Sequence, residues 1–203
     1  MPAVSHFAEP AQWPNYLRAV VDIAFPTYSM RVAPGPLDGV TGLPYPLDSA
    51  HTIHIITAFN PHGRHITARA NLRAQHELLR SIGPHGLRWW PAVGGDPVGT
   101  HVEISAAVVG LDDARARSLG RRFGQDAVFA WSPTSWRLLA CAGTAHDTVL
   151  TGWHADLLTP PPHRLCRQET VAVTRRHLSG AASAPSADPG GVVEAGPASH
   201  HAG

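Results

Sequence analysis

The sequence predicts an α+β domain of the ferredoxin-like type, a βαββαβ sandwich with an extra strand at each end and both helices on one face of the sheet. Two observations predict this fold. Between residues 51 and 131, four β-branched and apolar stretches are interleaved with two amphipathic helical stretches in the order β-α-β-β-α-β. The chain also has 203 residues, 43% of them hydrophobic, which is enough for one core of ordinary size.

The segment before this core predicts three elements. Residues 13–25 have the apolar spacing of a short helix, which Pro26 would end. Residues 27–32 alternate between apolar and polar side chains in the manner of a strand. Residues 33–50 contain four prolines and three glycines and therefore predict a loop.

The core elements follow from periodicity and from turn residues. Residues 51–59 form an apolar, β-branched run that predicts a buried strand, and residues 60–64 predict a turn. Residues 67–82 predict a helix with Thr67 as its N-cap, ended by Gly83. The same arguments predict a helix at residues 111–123 and strands at residues 87–93, 101–109, 127–131 and 136–142.

Composition divides the chain into three parts. Residues 10–145 form the predicted α/β core domain, and residues 146–178 a partly ordered C-terminal extension. Residues 179–203 are of low complexity and hold too little apolar surface to offset the entropy of ordering, so this tail is predicted to be disordered.

Charge and residue usage exclude several classes of function. The net charge of +1 provides no strong basic field, which argues against a nucleic-acid partner. All 16 basic residues are arginine, which excludes a phosphate-loop lysine, a Schiff-base lysine and a lysine that carries biotin or lipoate. No cofactor is therefore predicted.

The pattern of cysteines and apolar runs indicates a soluble protein of the cytoplasm. Cys141 and Cys166 form no CxxC motif and are interpreted as reduced thiols. The first residues lack the basic and apolar regions of a secretory signal, and no run approaches 18 apolar residues. No contact with a membrane is predicted.

A series of short motifs stands out between roughly residues 15 and 135. They are TAFNPHGR at residues 57–64, Asn71 followed by Leu78, GGD at residues 94–96, ExS at residues 103–105 and RRFGQDAVFAW at residues 121–131. In this order and spacing the chain resembles the bacterial family catalogued as domain of unknown function 3293. The family name carries no activity, so the resemblance implies a shared domain and nothing about its chemistry.

Chain direction predicts that polar residues of these motifs converge at one end of the sheet. In the βαββαβ order, the end of the first core strand, the start of the first helix, the central hairpin and the end of the second helix all lie there. The period of two along a strand places His101, Glu103 and Ser105 on one face, where a carboxylate must be paired, solvated or functional. The candidate binding residues are Asn60, Arg64, Asn71, Glu103 and Gln125.

Two interpretations of this cluster are open. Each residue can brace a turn or a loop, as Asn60 does in an Asn-Pro turn. Alternatively, Asn60 and Gln125 brace the site while Glu103 and Arg64 contact a ligand. Arg64 and the free N–H groups of the first helix would together suit an anion.

The main functional prediction is a binding module for a small ligand or a protein, and the alternative is a small hydrolase or phosphoesterase that uses the same cluster. The phosphoesterase hypothesis depends on two HxT tripeptides, at residues 65–67 and 146–148, whose histidines would have to face one cleft. A protein partner would need an exposed anchor such as Trp90 or Trp136.

Two further hypotheses have less support. A metal site at His101 and Glu103 lacks a recognisable third ligand, so no metal is predicted. RNA binding on an open sheet face would need aromatic residues on the third core strand, and residues 101–109 contain none. No nucleophile elbow, glycine-rich dinucleotide loop or catalytic triad is recognisable in the sequence.

Overall fold

The structure, a computed structural model, describes residues 13–36, 39–48, 50–142 and 148–158. This part of the chain consists mainly of β-strands. In chain order the elements are α1 (Trp13–Tyr16), β1 (Val20–Ala24), β2 (Ser29–Gly35), β3 (Val40–Gly42), β4 (Ile53–Thr57), α2 (Ala68–Ile82), β5 (Trp89–Gly95), β6 (Val102–Val109), α3 (Asp113–Arg122), β7 (Ala127–Ser132), β8 (Ser135–Ala140) and β9 (Thr148–Leu157).

Eight of these strands form one closed antiparallel barrel. Their order around the barrel is β2-β1-β5-β6-β4-β7-β8-β9, and β9 pairs again with β2. The closing register runs from Met30 opposite Leu157 to Gly35 opposite Gly152. The short β3 pairs in parallel with β9. Closure satisfies the backbone hydrogen bonds that the edges of an open sheet would leave unpaired.

The predicted ferredoxin-like βαββαβ sandwich is therefore wrong. That fold has an open sheet, whereas here the flanking strands β1, β2, β8 and β9 continue the sheet until it closes. The central strands lie in the order β5-β6-β4-β7, and the two long helices cover their outer surface. The two segments predicted as extra strands correspond to β2 and β8. Together with β1 and β9 they form half of the barrel.

Large side chains fill one end of the barrel interior. Trp131 and Trp153 are almost completely buried, and their rings meet edge to face with centroids 5.3 Å apart. The indole N–H of Trp153 donates to the carbonyl of Ser132 at 3.0 Å. Tyr45 packs on Trp131 and donates its hydroxyl to the Trp131 carbonyl at 3.1 Å. With this end filled, a pocket of about 580 Å³ lies near the opposite ends of β4, β6 and β7.

Both long helices pack on the outside of the barrel. Leu78 of α2 and Ala116 of α3 are completely buried in a cluster with Ile56 of β4. Strand β4 is thus buried on both faces, which explains its three isoleucines and why its first four residues are all buried. Gly120 allows α3 to approach the barrel closely, because a Cβ atom at this position would lie 2.4 Å from the sulfur of Cys141.

The N-terminal segment differs from the predicted helix at residues 13–25. Helix α1 ends at Tyr16, and residues 20–24 form β1, which pairs with both β2 and β5. Val21 and Ile23 are completely buried. Their spacing of two, with β-branched side chains, fits an inward-facing strand, and two ladders of backbone hydrogen bonds favour that strand over a short isolated helix.

Two predictions concern residues outside the described ranges. They are the disordered tail at residues 179–203 and most of the extension at residues 146–178. Within the extension, residues 148–157 form β9. In the described ranges, no helix combines the length and the apolar content needed to cross a membrane.

Candidate functional site

The open mouth of the barrel contains a pocket of about 580 Å³. Its walls come from the inner faces of β4, β5, β6 and β7, and its rim is lined by four residues in and after α1, namely Asn15, Tyr16, Arg18 and Ala19. Ile55 and Phe129 provide apolar lining, while Glu103 and Ser105 of β6 provide polar groups. Both the size and the mixture of apolar walls with a few polar groups are typical of small-molecule sites.

The glycines of the GGD motif create the space beside Glu103. Gly94 is the direct cross-strand neighbour of Glu103, so no side chain from β5 covers the carboxylate. A Cβ atom at Gly94 would meet only the hydroxyl of Ser105, at 3.7 Å, within 4 Å. At Gly95 a Cβ atom would collide with the carbonyl of His101 at 2.2 Å, so this glycine permits the tight hairpin.

Asp96 closes that hairpin. Its carboxylate accepts hydrogen bonds from the backbone N–H groups of Val98, Thr100 and His101 and from the Thr100 hydroxyl. The Thr100 hydroxyl is the largest cause of the lowered pKa of Asp96, which is about 2. This carboxylate is thus occupied by its own turn.

Asn60 connects the loop after β4 to Glu103. Its backbone is in the left-handed region, with φ 47° and ψ 57°, a conformation that asparagine tolerates better than most residues. Its Nδ2 donates to Oε1 of Glu103 at 2.9 Å. Asn71 holds it in place, because Asn71 Oδ1 accepts from the Asn60 backbone N–H at 2.8 Å and Asn71 Nδ2 donates to Asn60 Oδ1 at 3.0 Å.

Gln125 ties the loop after α3 to the end of β4. Its Nε2 donates to the carbonyl of Phe59 at 2.9 Å. The backbone N–H of His62 donates to the carbonyl of Gly124 at 2.7 Å, which joins the same two loops a second time. The two loops therefore support each other at the pocket wall.

Glu103 is the most withdrawn carboxylate in the pocket, with 18% of its side chain exposed. Burial raises the pKa of its carboxyl, while the hydrogen bond from Asn60 and the nearby His101 act in the opposite direction. Oε1 lies 3.2 Å from Nε2 of His101 as well as accepting from Asn60. Oε2 accepts no hydrogen bond within the described ranges, so it remains available at the pocket.

The five residues predicted from the sequence have different positions. Asn60, Glu103 and Gln125 line the same pocket. Asn71 is buried behind Asn60 and does not line the pocket. Arg64 is exposed and also lies outside the lining. The structure therefore does not bring Arg64 and Glu103 together at one pocket, as the predicted pair of ligand contacts would require.

Sequence reasoning missed several residues of the pocket. Tyr16 and Arg18 line it from a segment predicted as an ordinary amphipathic helix, and Phe129 belongs to a strand whose apolar pattern gives no indication of a site. His65 also lines the pocket, and its ring lies 5.8 Å from that of His101. The sequence indicated His65 only as the first residue of the HxT tripeptide at residues 65–67, in the phosphoesterase hypothesis.

The other sequence hypotheses have these outcomes. No group of three His, Cys, Asp or Glu residues within the described ranges could hold a metal ion. In the first HxT tripeptide, the hydroxyl of Thr67 accepts from the backbone N–H of Ala70 as the cap of α2, and the second tripeptide begins at His146, outside the described residues. Trp136 is only 3% exposed, which excludes it as a surface anchor.

The fold and the pocket together define a small antiparallel barrel with a polar mouth, a type of barrel whose interior can hold one small ligand. Residues 56–128 match the family model described as "Protein of unknown function (DUF3293)". The resemblance predicted from the sequence is thereby confirmed for this segment. Comparisons with curated proteins and with solved structures found no match.

Proposed function

We propose that this protein is a binding domain for a small molecule, which enters the mouth of the barrel and donates a hydrogen bond to Glu103. The observation that carries the proposal is the pocket of about 580 Å³ with a largely withdrawn carboxylate in its wall. Withdrawing a carboxylate from water is unfavourable unless a partner compensates for it. A ligand that donates to Oε2 would supply that compensation.

The residues around Glu103 support this division of roles. The side-chain amides of three residues form hydrogen bonds with one another, with Glu103 and with backbone groups. These residues, Asn60, Asn71 and Gln125, therefore hold the loops in place. Glu103 has one oxygen engaged by Asn60 and His101, which fixes the orientation of the carboxylate. Such a fixed acceptor in an apolar surrounding is the arrangement that gives a binding site its specificity. In this proposal the protein acts in the cytoplasm, as the sequence predicts.

The test is a fragment screen by amide chemical shifts, with a variant that fills the pocket. Gly94→Leu places a side chain next to Glu103 without a backbone collision, because Gly94 has room for a Cβ atom. Fragments that shift the amides of residues 57, 94–96 and 103–105 should lose binding in this variant. The control, Val98→Leu, changes the exposed tip of the same hairpin and should bind as the wild type does.

Two results would contradict the proposal. The first is a screen in which no fragment shifts amides at the mouth of the barrel. The second is equal binding by the wild type and Gly94→Leu, provided that the variant keeps the dispersed spectrum of the folded protein. Binding that maps to an outer surface of the barrel would count against the pocket in the same way.

A second candidate function is acid–base catalysis by a small hydrolase, favoured by one observation. Glu103 has a raised pKa and lies 3.2 Å from the imidazole of His101, so the two groups could exchange a proton next to a bound molecule. Hydrolysis of p-nitrophenyl esters or phosphates that is lost in Glu103→Gln but kept in Glu77→Gln would favour this function. Equal rates in both variants would remove it.

A further inference from the structure

We propose that the ligand of the mouth pocket carries a positively charged nitrogen group, an amine, guanidinium or amidinium, that pairs with Glu103. This inference rests on the proposed small-molecule function and names the chemical class of the ligand. Its basis is a comparison of Glu103 with other partly buried carboxylates among the described residues.

Among the described residues, two other partly buried carboxylates, those of Asp22 and Asp113, have arginine partners, whereas Asp126, 28% exposed, lies 3.6 Å from His62. Asp22 accepts from Arg31 through Nε at 2.7 Å and Nη2 at 2.9 Å. Asp113 accepts from Arg137, whose Nη2 lies 3.1 Å from Oδ1. Glu103 is as withdrawn as Asp22, with 18% of its side chain exposed against 17%. It nevertheless has no arginine partner within the described ranges.

The partners that Glu103 does have leave its charge largely uncompensated. Asn60 donates through a neutral amide, and His101, half exposed, and the nearby His65 contribute a charge only when they are protonated. Asp22, the described carboxylate whose exposure matches that of Glu103, is compensated by a guanidinium of the same chain. Because no guanidinium of the described residues pairs with Glu103, its carboxylate is a site of suitable charge and geometry for an external cation.

The remaining walls of the pocket suit a cation better than an anion. Tyr16 and Phe129 line the pocket with their rings 6.3 Å apart at an angle of 73°, and aromatic faces attract cations. Burial raises the pKa of Tyr16, and the negative charges of Asp126 and Glu103 raise it further. Among the described residues of the lining, Arg18 is the one arginine, its side chain is exposed, and His65 and His101 add a positive charge only when they are protonated.

The experiment compares probes of similar shape and different charge. Benzylamine and benzamidine carry a cation, benzyl alcohol is neutral, and benzoate is an anion. Each is titrated into the folded protein, and the dissociation constant is taken from amide shifts at residues 94–105. The cations should bind at least fivefold more tightly than benzyl alcohol. Glu103→Gln, which keeps the acceptor for Asn60, should remove that advantage and leave benzyl alcohol unchanged, while Glu77→Gln on α2 should leave all four constants unchanged.

The outcomes separate this inference from the function on which it rests. If benzyl alcohol or benzoate binds in the pocket as tightly as the cations, the inference is overturned and the proposed function survives. Equal binding of the cations by the wild type and Glu103→Gln has the same meaning. If no probe of any charge shifts these amides, both the inference and the proposed function fail.

Discussion

Replacement of Glu103 should change stability in opposite directions according to what is removed. Glu103→Ala removes the acceptor of Asn60 Nδ2, and Asn60 is only 9% exposed. Leaving such a donor unpaired costs about 1–3 kcal/mol. Glu103→Gln keeps an oxygen acceptor at the same place and removes only the charge. Relieving a functional charge commonly increases the free energy of unfolding by about 0.5–2 kcal/mol, so this variant should be more stable than the wild type near pH 8.

The pH dependence follows from the raised pKa of Glu103. Because the folded state holds the proton more tightly than the unfolded state, the protonated carboxyl stabilises the fold, and this contribution is lost as the pH rises through the raised pKa. Glu103→Gln cannot lose a proton. Its advantage over the wild type should therefore be largest at high pH and should disappear below the ordinary glutamate value of 4.5.

The assay is urea unfolding followed by tryptophan fluorescence between pH 4 and pH 8.5. Asp22→Asn is the matched control, because it removes the ion pair between Asp22 and Arg31. It should lower the free energy of unfolding by about 1 kcal/mol at neutral pH. A second series in a His101→Gln background removes the contribution of the imidazole. If Glu103→Gln is less stable than the wild type at pH 8 in both backgrounds, the carboxylate is a bracing group and the argument for an external partner is refuted.

Three other predictions concern the framework of the pocket. Asn71→Ala leaves the backbone N–H of Asn60 without its acceptor and should lower the free energy of unfolding by about 1–3 kcal/mol in urea, whereas exposed Arg73→Ala should change it by less than about 0.5 kcal/mol. Gly124→Ala should lower the melting temperature, because φ is 69° and the new Cβ would lie 2.7 Å from a proline side-chain atom in the loop that carries Asn60. Asp113→Asn should weaken the acid dependence of stability measured by urea titration. Its pKa is lowered, chiefly by His54, so the wild type loses this contribution as the pH falls through the lowered value.

Local pattern was sufficient to predict where most elements of the central region lie, and chain direction predicted that polar residues meet at one end. The helix predicted at residues 67–82 is observed at 68–82, and the strand predicted at 101–109 is observed at 102–109. Both arguments depend only on neighbouring elements and on strand alternation. For this reason the structure brings Asn60 and Glu103 into one pocket even though the sheet is not the one predicted.

Closure of the sheet could not be predicted, because it depends on contacts that are distant in sequence. The β2–β9 ladder joins residues 30–35 to residues 152–157, and no local pattern specifies that pairing. The exposed position of Arg64 was not predicted for a different reason. Asn60 and His62 both have positive φ values, and this pair of left-handed residues turns the chain in a way that residue type alone does not dictate. The exposed position of Arg64 follows from that turn.

The segment that matches the family model has a specific relation to the proposed binding site. Residues 56–128 include Asn60, Asn71, Glu103 and Gln125, which hold and surround the carboxylate. Of the aromatic side of the pocket, Phe129 lies directly after that segment and Tyr16 lies well before it. On the proposed function, the family segment therefore sets the charge that a ligand must carry. The size and shape of the rest of the ligand depend on the aromatic residues that the other parts of the chain contribute to the same mouth.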